Sequence, residues 1–226
     1  MFKGFGEFLI SMIQAAFVPD FIRNYKPGSL MVYLLTILPG LENIAADECV
    51  CKDNVDICAL MRGKVFVSKA GFFAYSKFRS VDNVYELLHS GLMDATRGAL
   101  NSLFNYFKYE SFGFVIDRVR TRYRANNTPV SFTVNASIVG RHNYSRFEIS
   151  DAFADFLEHR YHFTRGTHDH RDIEFRLDII NGFYLLSHKL TDAAFRFRGG
   201  SRGVPALKLR DRGPRPPRVR LHHRFQ

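Results

Sequence analysis

The residues best suited to chemistry lie in one short segment, Gly-Arg-His-Asn-Tyr-Ser at positions 140–145. Ser145 and Glu148 form the Ser-x-x-Glu pattern of a capping box, which predicts that a helix begins at Ser145, directly after this loop. A single-stranded RNA end presents phosphates, unstacked bases and ribose hydroxyls. The loop offers a cation, polar side chains, aromatic rings and a helix N-terminus that favours anions, so it has the groups that binding such an end would require.

Each side chain of this loop is expected to contact a different part of the bound strand. Arg141 would contact a phosphate, and Asn143 could reach a base edge or a ribose. His142 or Tyr144 would stack on a base or hydrogen-bond to it. A purely structural alternative is equally open for two of these residues, with Tyr144 as a hydrophobic staple and Ser145 only as the helix cap.

Two further basic segments could enlarge this surface. Lys189 lies at the end of a predicted hairpin, and Arg196 and Arg198 follow it. The three fit a phosphate-binding edge, since Arg196 and Arg198 are two residues apart and share a face if the chain is extended. Residues 114–124 alternate strictly, and an extended conformation would place four arginines on one side. A solvated edge hairpin explains the same alternation equally well. These arginines are Arg118, Arg120, Arg122 and Arg124.

Other combinations of reactive residues indicate no catalytic or metal site. Cys49, Cys51 and Cys58 lack the fourth ligand of a structural zinc site, and buried reduced thiols are expected. His159, His162, His168 and His170 have no carboxylate or cysteine set that completes a metal site. Asp151, one helical turn before Asp155, is explained by the dipole of the helix.

The charge of the chain is unevenly distributed. Of 32 Lys and Arg and 22 Asp and Glu, ten basic residues and one acidic residue lie from Arg196 onward, so the rest is nearly neutral. Residues 199–226 have almost no apolar periodicity and are predicted to be disordered. Residues 1–29 suggest an amphipathic extension rather than a signal peptide or a membrane span, and a cytoplasmic location is expected.

The elements that must position the loop follow from hydrophobic spacing. Strands are predicted at 31–37, 55–60 and 63–68, helices at 41–50 and 69–78, and a strand or helix at 81–88. This is the ferredoxin-like order and predicts a first domain at 30–92. A second unit at 93–198 would contain a helix at 92–109, a strand at 131–139, the capped helix and a hairpin at 173–190 around Asn181-Gly182.

Two long segments read SFTVNASIVGRHNYSRFEISDAFADFL and DIEFRLDIINGFYLLSHKLTDAAFRFRG. They resemble the THUMP domain, an RNA-binding module of tRNA-modifying enzymes. Upstream, PGLENIAADE, RGKVFVS and FRSVDNVYELL are similar to the ferredoxin-like domain that precedes THUMP in S-adenosylmethionine-dependent tRNA guanine-N2 methyltransferases. The resemblance spans about residues 30–198 and implies an α+β fold, with a ferredoxin-like domain, a THUMP domain and a disordered basic tail.

The resemblance also implies what the chain does and lacks. In that family the THUMP module docks the 3′ end and acceptor stem of tRNA, and a following domain binds S-adenosylmethionine. Beyond Lys208 no glycine-rich turn and no Asn-Pro-Pro-aromatic motif occurs, which suggests truncation or a frameshift and no cofactor in this chain. The expected function is tRNA or structured-RNA docking. The alternatives are a complete or two-subunit methyltransferase with a separately encoded catalytic half, and a non-functional gene remnant.

Overall fold

The structure is a computed structural model that describes residues 25, 30–109, 113, 116, 117, 121, 130–180, 182–192 and 195. Its strands are β1 (Met31–Ile37), β2 (Asp56–Met61), β3 (Lys64–Lys69), β4 (Val81–Leu92), β5 (Ser131–Val139), β6 (Thr164–Arg165), β7 (Ile173–Ile180) and β8 (Phe183–Lys189). Three α-helices have both ends within the described residues, namely α1 (Glu42–Asp53), α2 (Arg97–Tyr109) and α3 (Arg146–Tyr161). Within these residues the strands form one mixed sheet, in the order β2-β3-β1-β4-β8-β7-β5-β6.

The long strand β4 joins the two halves of the sheet. Its first residues pair with β1, and its last residues pair with β8, from Tyr85 opposite Lys189 to Leu92 opposite Phe183. The apolar residues of α1 pack on the first half of the sheet, and those of α2 and α3 pack on the second half. The two predicted units therefore share one continuous sheet, and their division at residue 92 stays a prediction.

The predicted helix at 69–78 is wrong. Only Tyr75–Lys77 form a single 3-10 turn. Gly71 has a φ of +86°, which α-helical backbone does not allow, and the N–H of Ala74 donates to the Asp53 carboxylate at 2.9 Å. Because Phe73 and Phe78 are both buried in the first half, the segment wraps around this core instead of forming a regular helix.

The segment between β4 and β5 also differs from its prediction. Residues 92–109 were expected to form one helix, but Leu92 still belongs to β4, and α2 begins only at Arg97. The extended alternation expected at 114–124 is contradicted at every described position, because Ile116, Asp117 and Thr121 are helical. The Thr121 hydroxyl donates to the Asp117 carbonyl one turn earlier, at 2.9 Å.

The cysteines only partly follow their prediction. Cys49 is buried on α1, and burial raises the pKa of its thiol to about 12. Cys51 is exposed, because two residues along a helix turn a side chain by about 200°. Cys58 is half-buried on the edge strand β2. Burial of all three thiols was therefore the wrong expectation.

A compact group of charged residues lies on the second half of the sheet. Asp178 of β7 is fully buried and accepts from Arg176 through both oxygens, each at 2.9 Å, and from the Ser137 hydroxyl. Burial alone would raise the pKa of Asp178, but the Arg176 guanidinium outweighs it and lowers that pKa. The Arg176 guanidinium also lies over the Tyr85 ring, 5.3 Å from its centre. Both oxygens of the buried Asp178 carboxylate therefore accept hydrogen bonds, and its charge is paired with that of Arg176.

Glu48 of α1 provides a testable link between pH and stability. Burial opposes its ionisation, but hydrogen bonds from Lys52 and Ser80 lower its pKa from 4.5 to about 2, and the N–H groups of Arg79 and Ser80 also donate to it at 2.8 Å. Since the folded pKa is depressed, this stabilisation is present above about pH 4.5 and is lost as the pH falls toward 2.

We expect Glu48→Gln to lower the free energy of unfolding at pH 7 by about 1–3 kcal/mol, because the charge-assisted hydrogen bonds are weakened. The difference from the unaltered chain should shrink between pH 4.5 and 2, where the wild-type carboxylate takes up its proton. Urea unfolding at several pH values measures both quantities. An unaltered difference at the lowest pH would contradict this explanation.

No helix in the described ranges combines the length and apolarity that crossing a membrane requires. The predicted extension at 1–29, apart from Tyr25, and the predicted tail at 199–226 lie outside the described residues.

Candidate nucleic-acid interface

The loop 140–145 lies at one end of the second half of the sheet. Strand β5 runs parallel to β7, and β7 and β4 are both antiparallel to β8. Strands β4, β5 and β7 therefore run in the same direction and all end on this side. Because α2 follows β4 and α3 follows β5, both helices also begin there. The N-termini of two helices, each carrying partial positive charge, thus meet at the loop.

The loop is held in place by the linker between β4 and α2. The N–H of Asn143 donates to the Ala95 carbonyl at 2.8 Å, and the Tyr144 hydroxyl donates to the Asp94 carbonyl at 3.2 Å. Tyr144 is buried, and burial together with the Asp94 charge raises the pKa of its phenol to about 12. A ring buried in this way cannot stack on a base without leaving the core, so the geometry favours a positioning role for Tyr144.

The predicted capping box is confirmed. The N–H of Glu148 donates to the Ser145 hydroxyl at 3.2 Å, and the N–H of Ser145 donates to the Glu148 carboxylate at 2.7 Å. These hydrogen bonds from Ser145 lower the pKa of Glu148. Arg97, the first residue of α2, connects this helix to the start of α3. Its guanidinium donates to the Asn143 carbonyl and to the Glu148 carboxylate, each at 3.1 Å. Ser145 is therefore engaged as a cap.

The remaining side chains of the loop differ in exposure. Arg141 and Asn143 are exposed, and His142 is half-buried, with its ring centre 5.2 Å from that of Tyr144. No described residue hydrogen-bonds to His142 Nδ1. Within the described part of the chain, no ion pair involves Arg141. Arg141, His142 and Asn143 are thus presented on a loop whose neighbours fix its backbone.

The structure does not bring Lys189 to this loop. Lys189 ends β8 opposite Tyr85, at the end of the sheet away from residue 140, and its ammonium lies 3.4 Å from the Glu174 carboxylate. The length of β7 from Glu174 to Ile180, about 20 Å, separates the two places. Of the other predicted site residues, Arg118, Arg120, Arg122, Arg196 and Arg198 lie outside the described residues, as does Arg124.

Three residues at the loop were missed from sequence. Arg97 lies in the segment taken for a continuous helix, and Arg146 and Phe147 open α3. Residue type alone would place Phe147 in the core, yet its side chain is 65% exposed, because it lies about 200° around the helix from the buried Ile149. Counting 100° per residue around the helix from Ile149 would have predicted that Phe147 is exposed.

A cavity of about 640 Å³ lies beside the loop, between the end of β4 and the start of α2. His89 and Tyr184 form part of its wall and share a hydrogen bond of 2.8 Å between the imidazole Nδ1 and the phenol oxygen. Asp94, whose carbonyl holds Tyr144, also lines it. Neither here nor in the rest of the described ranges is a group of three or more His, Cys, Asp or Glu side chains placed to hold a metal ion.

In the described residues, helices pack on a mixed sheet of eight strands, which confirms the predicted mixture of helices and strands in this coarse form, and this fold is similar to that of two solved structures. TrmN from Thermus thermophilus aligns with 72% of this chain and 46% of its own, at a TM-score of 0.52 and 16% identity. A possible methylase from Clostridium difficile 630 aligns with 71% of this chain and 41% of its own, at a TM-score of 0.51 and 14% identity. At these identities the likeness shows the fold alone.

The chain spans less than half the length of these two solved structures. No family model and no curated protein matches the sequence.

Proposed function

We propose that this chain docks the single-stranded 3′ end and acceptor stem of tRNA, as the RNA-binding portion of a THUMP-containing RNA methyltransferase. In this proposal residues 30–92 form the ferredoxin-like domain and residues 93–198 form the THUMP domain. The observation that carries the proposal is the loop 140–145, which presents Arg141, His142 and Asn143 beside two helix N-termini.

The electrostatics of this surface support an anionic partner. Arg97, Arg141 and Arg146 are exposed there, whereas the nearby carboxylates are Asp94 and Glu148. Glu148 is already paired with Arg97, so the charges of Arg141 and Arg146 stay available to a phosphate. Each phosphate contact on a single strand releases counterions and contributes about 0.7 to the slope of log affinity against log salt.

The rigidity of the loop supports selective rather than purely ionic binding. Its backbone is fixed by hydrogen bonds to Ala95 and Asp94 and by the capping box of α3. A prearranged set of polar side chains loses little entropy on binding, which favours one geometry of RNA over a generic polyanion. An unpaired end, whose bases and hydroxyls are open to contact, fits such a loop better than a duplex.

The test compares intact tRNA with tRNA whose single-stranded 3′ end has been trimmed, using the full chain and fluorescence anisotropy at fixed salt. We expect an affinity of about micromolar that weakens by about tenfold on trimming, a difference of about 1.4 kcal/mol. Equal affinity for the two tRNAs would overturn the proposal, because binding would then not involve the 3′ end.

A further inference from the structure

The first turn of α3 carries an aromatic ring that the core does not use. Phe147 is 65% exposed, although Ile149 and Phe153 of the same helix are fully buried. The guanidinium carbon of Arg146 lies 4.7 Å from the centre of the Phe147 ring. The two side chains therefore form a cation–π pair on the surface, directly after the loop 140–145.

Exposure alone does not make this ring functional, since single exposed apolar residues are common on protein surfaces. Phe72, in the loop after β3, is 84% exposed, and no cation lies over its ring among the described residues. Phe147 differs in two respects. It is paired with an arginine, and it lies in the first turn of the helix that follows the loop carrying exposed Arg141.

We propose that Arg146 and Phe147 form a stacking platform for one unpaired base of the bound RNA. This inference rests on the proposed function and assigns a base-binding subsite to it. Aromatic rings and guanidinium planes both stack on bases, and Arg146 also brings positive charge to the adjoining phosphate. A duplex offers no free base face except at its ends, so the platform selects single-stranded RNA.

The absence of tryptophan from the chain allows a direct test. Phe147→Trp introduces a single tryptophan, whose fluorescence should be quenched when a base stacks on it. The probes are intact tRNA, a short single-stranded RNA and a long blunt-ended RNA duplex in which every base is paired. We expect quenching with the first two and none with the third. Phe72→Trp, the matched control, should show no quenching with any of them.

Affinity measurements separate stacking from charge. Phe147→Leu should weaken binding of the single-stranded RNA by about 5- to 100-fold, with an unchanged salt slope, because one stacked base is lost and no charge is removed. Arg146→Gln should lower the salt slope by about 0.7. Phe72→Leu should change neither quantity.

The outcomes distinguish this inference from the function on which it rests. If Phe147→Leu binds as tightly as the unaltered chain while Arg141→Ala binds more weakly, the platform is overturned and the proposed function stands. Absence of quenching in Phe147→Trp on saturation with intact tRNA also overturns the platform. If the unaltered chain does not distinguish intact from trimmed tRNA, the proposed function fails and the platform fails with it.

Discussion

Replacing Asp178 with alanine should lower the free energy of unfolding by about 3–5 kcal/mol. Asp178 is completely buried, and it accepts two hydrogen bonds from Arg176 and one from Ser137. Without this carboxylate, the Arg176 guanidinium stays on the sheet face as a poorly compensated charge. The loss exceeds the value of the pair itself, because an unpaired charge in a region of low dielectric is strongly unfavourable.

A double variant isolates that cause. Arg176→Met combined with Asp178→Leu removes both charges and fills similar volume, so it should recover most of the lost stability. Urea unfolding followed by circular dichroism measures both chains, and the coupling of the two sites follows from the double-mutant cycle. If Asp178→Ala changes stability by less than about 1 kcal/mol, or if the double variant is no better, the buried pair does not have this role.

Replacing Arg141 and His142 together with alanine should weaken binding to intact tRNA by about 10- to 100-fold, or about 1.4–2.8 kcal/mol. The two substitutions remove one phosphate contact and one base contact from the loop. Deleting residues 199–226 should weaken binding less, although it removes most of the excess positive charge of the chain. Anisotropy titrations of the two variants at the same salt concentration give this ranking directly.

The matched control for charge is Arg160→Ala. Arg160 is an exposed arginine in the last turn of α3, at the far end of the helix from the loop. The Arg160→Ala variant loses one positive charge, as Arg141→Ala does. A similar loss of affinity in both variants would indicate nonspecific electrostatic attraction of the RNA to the protein. The opposite ranking, in which the deletion weakens binding more than the loop variant, would make the terminal residues the main RNA-binding element.

Much of the second half of the sheet could be predicted because its signals are local. The capping box at Ser145 fixes the start of α3, and the strands of the β7–β8 hairpin lie where their hydrophobic residues indicate. Gly182 has the positive φ, +92°, that the predicted turn requires, while Asn181 lies outside the described residues. In these cases neighbours in sequence determine the conformation.

The failures concern features that depend on distant contacts. Residues 69–78 have helical spacing, but Phe73 and Phe78 pack in the same core as α1 and β1, and the Asp53 carboxylate accepts from the N–H of Ala74. Lys189 has the charge of a phosphate ligand, but only the sheet register shows that it lies beside Glu174 and far from the loop. Phe147 is apolar and yet exposed, because its angle around α3 turns it away from the core.

The double pairing of β4 has a consequence for how the chain folds. Residues 31–92 contain every strand of the first half, so that half could close early from contacts between segments near one another in sequence. Its connection to the rest must wait for β8, whose Tyr184 pairs with Gly91 across almost half of the chain. During synthesis on the ribosome, the edge of β4 that pairs with β8 stays unpaired until β8 emerges. Because this pairing joins residues far apart in sequence, we expect the sheet to be completed slowly. Until then, the unpaired edge is where transient association with other chains is expected.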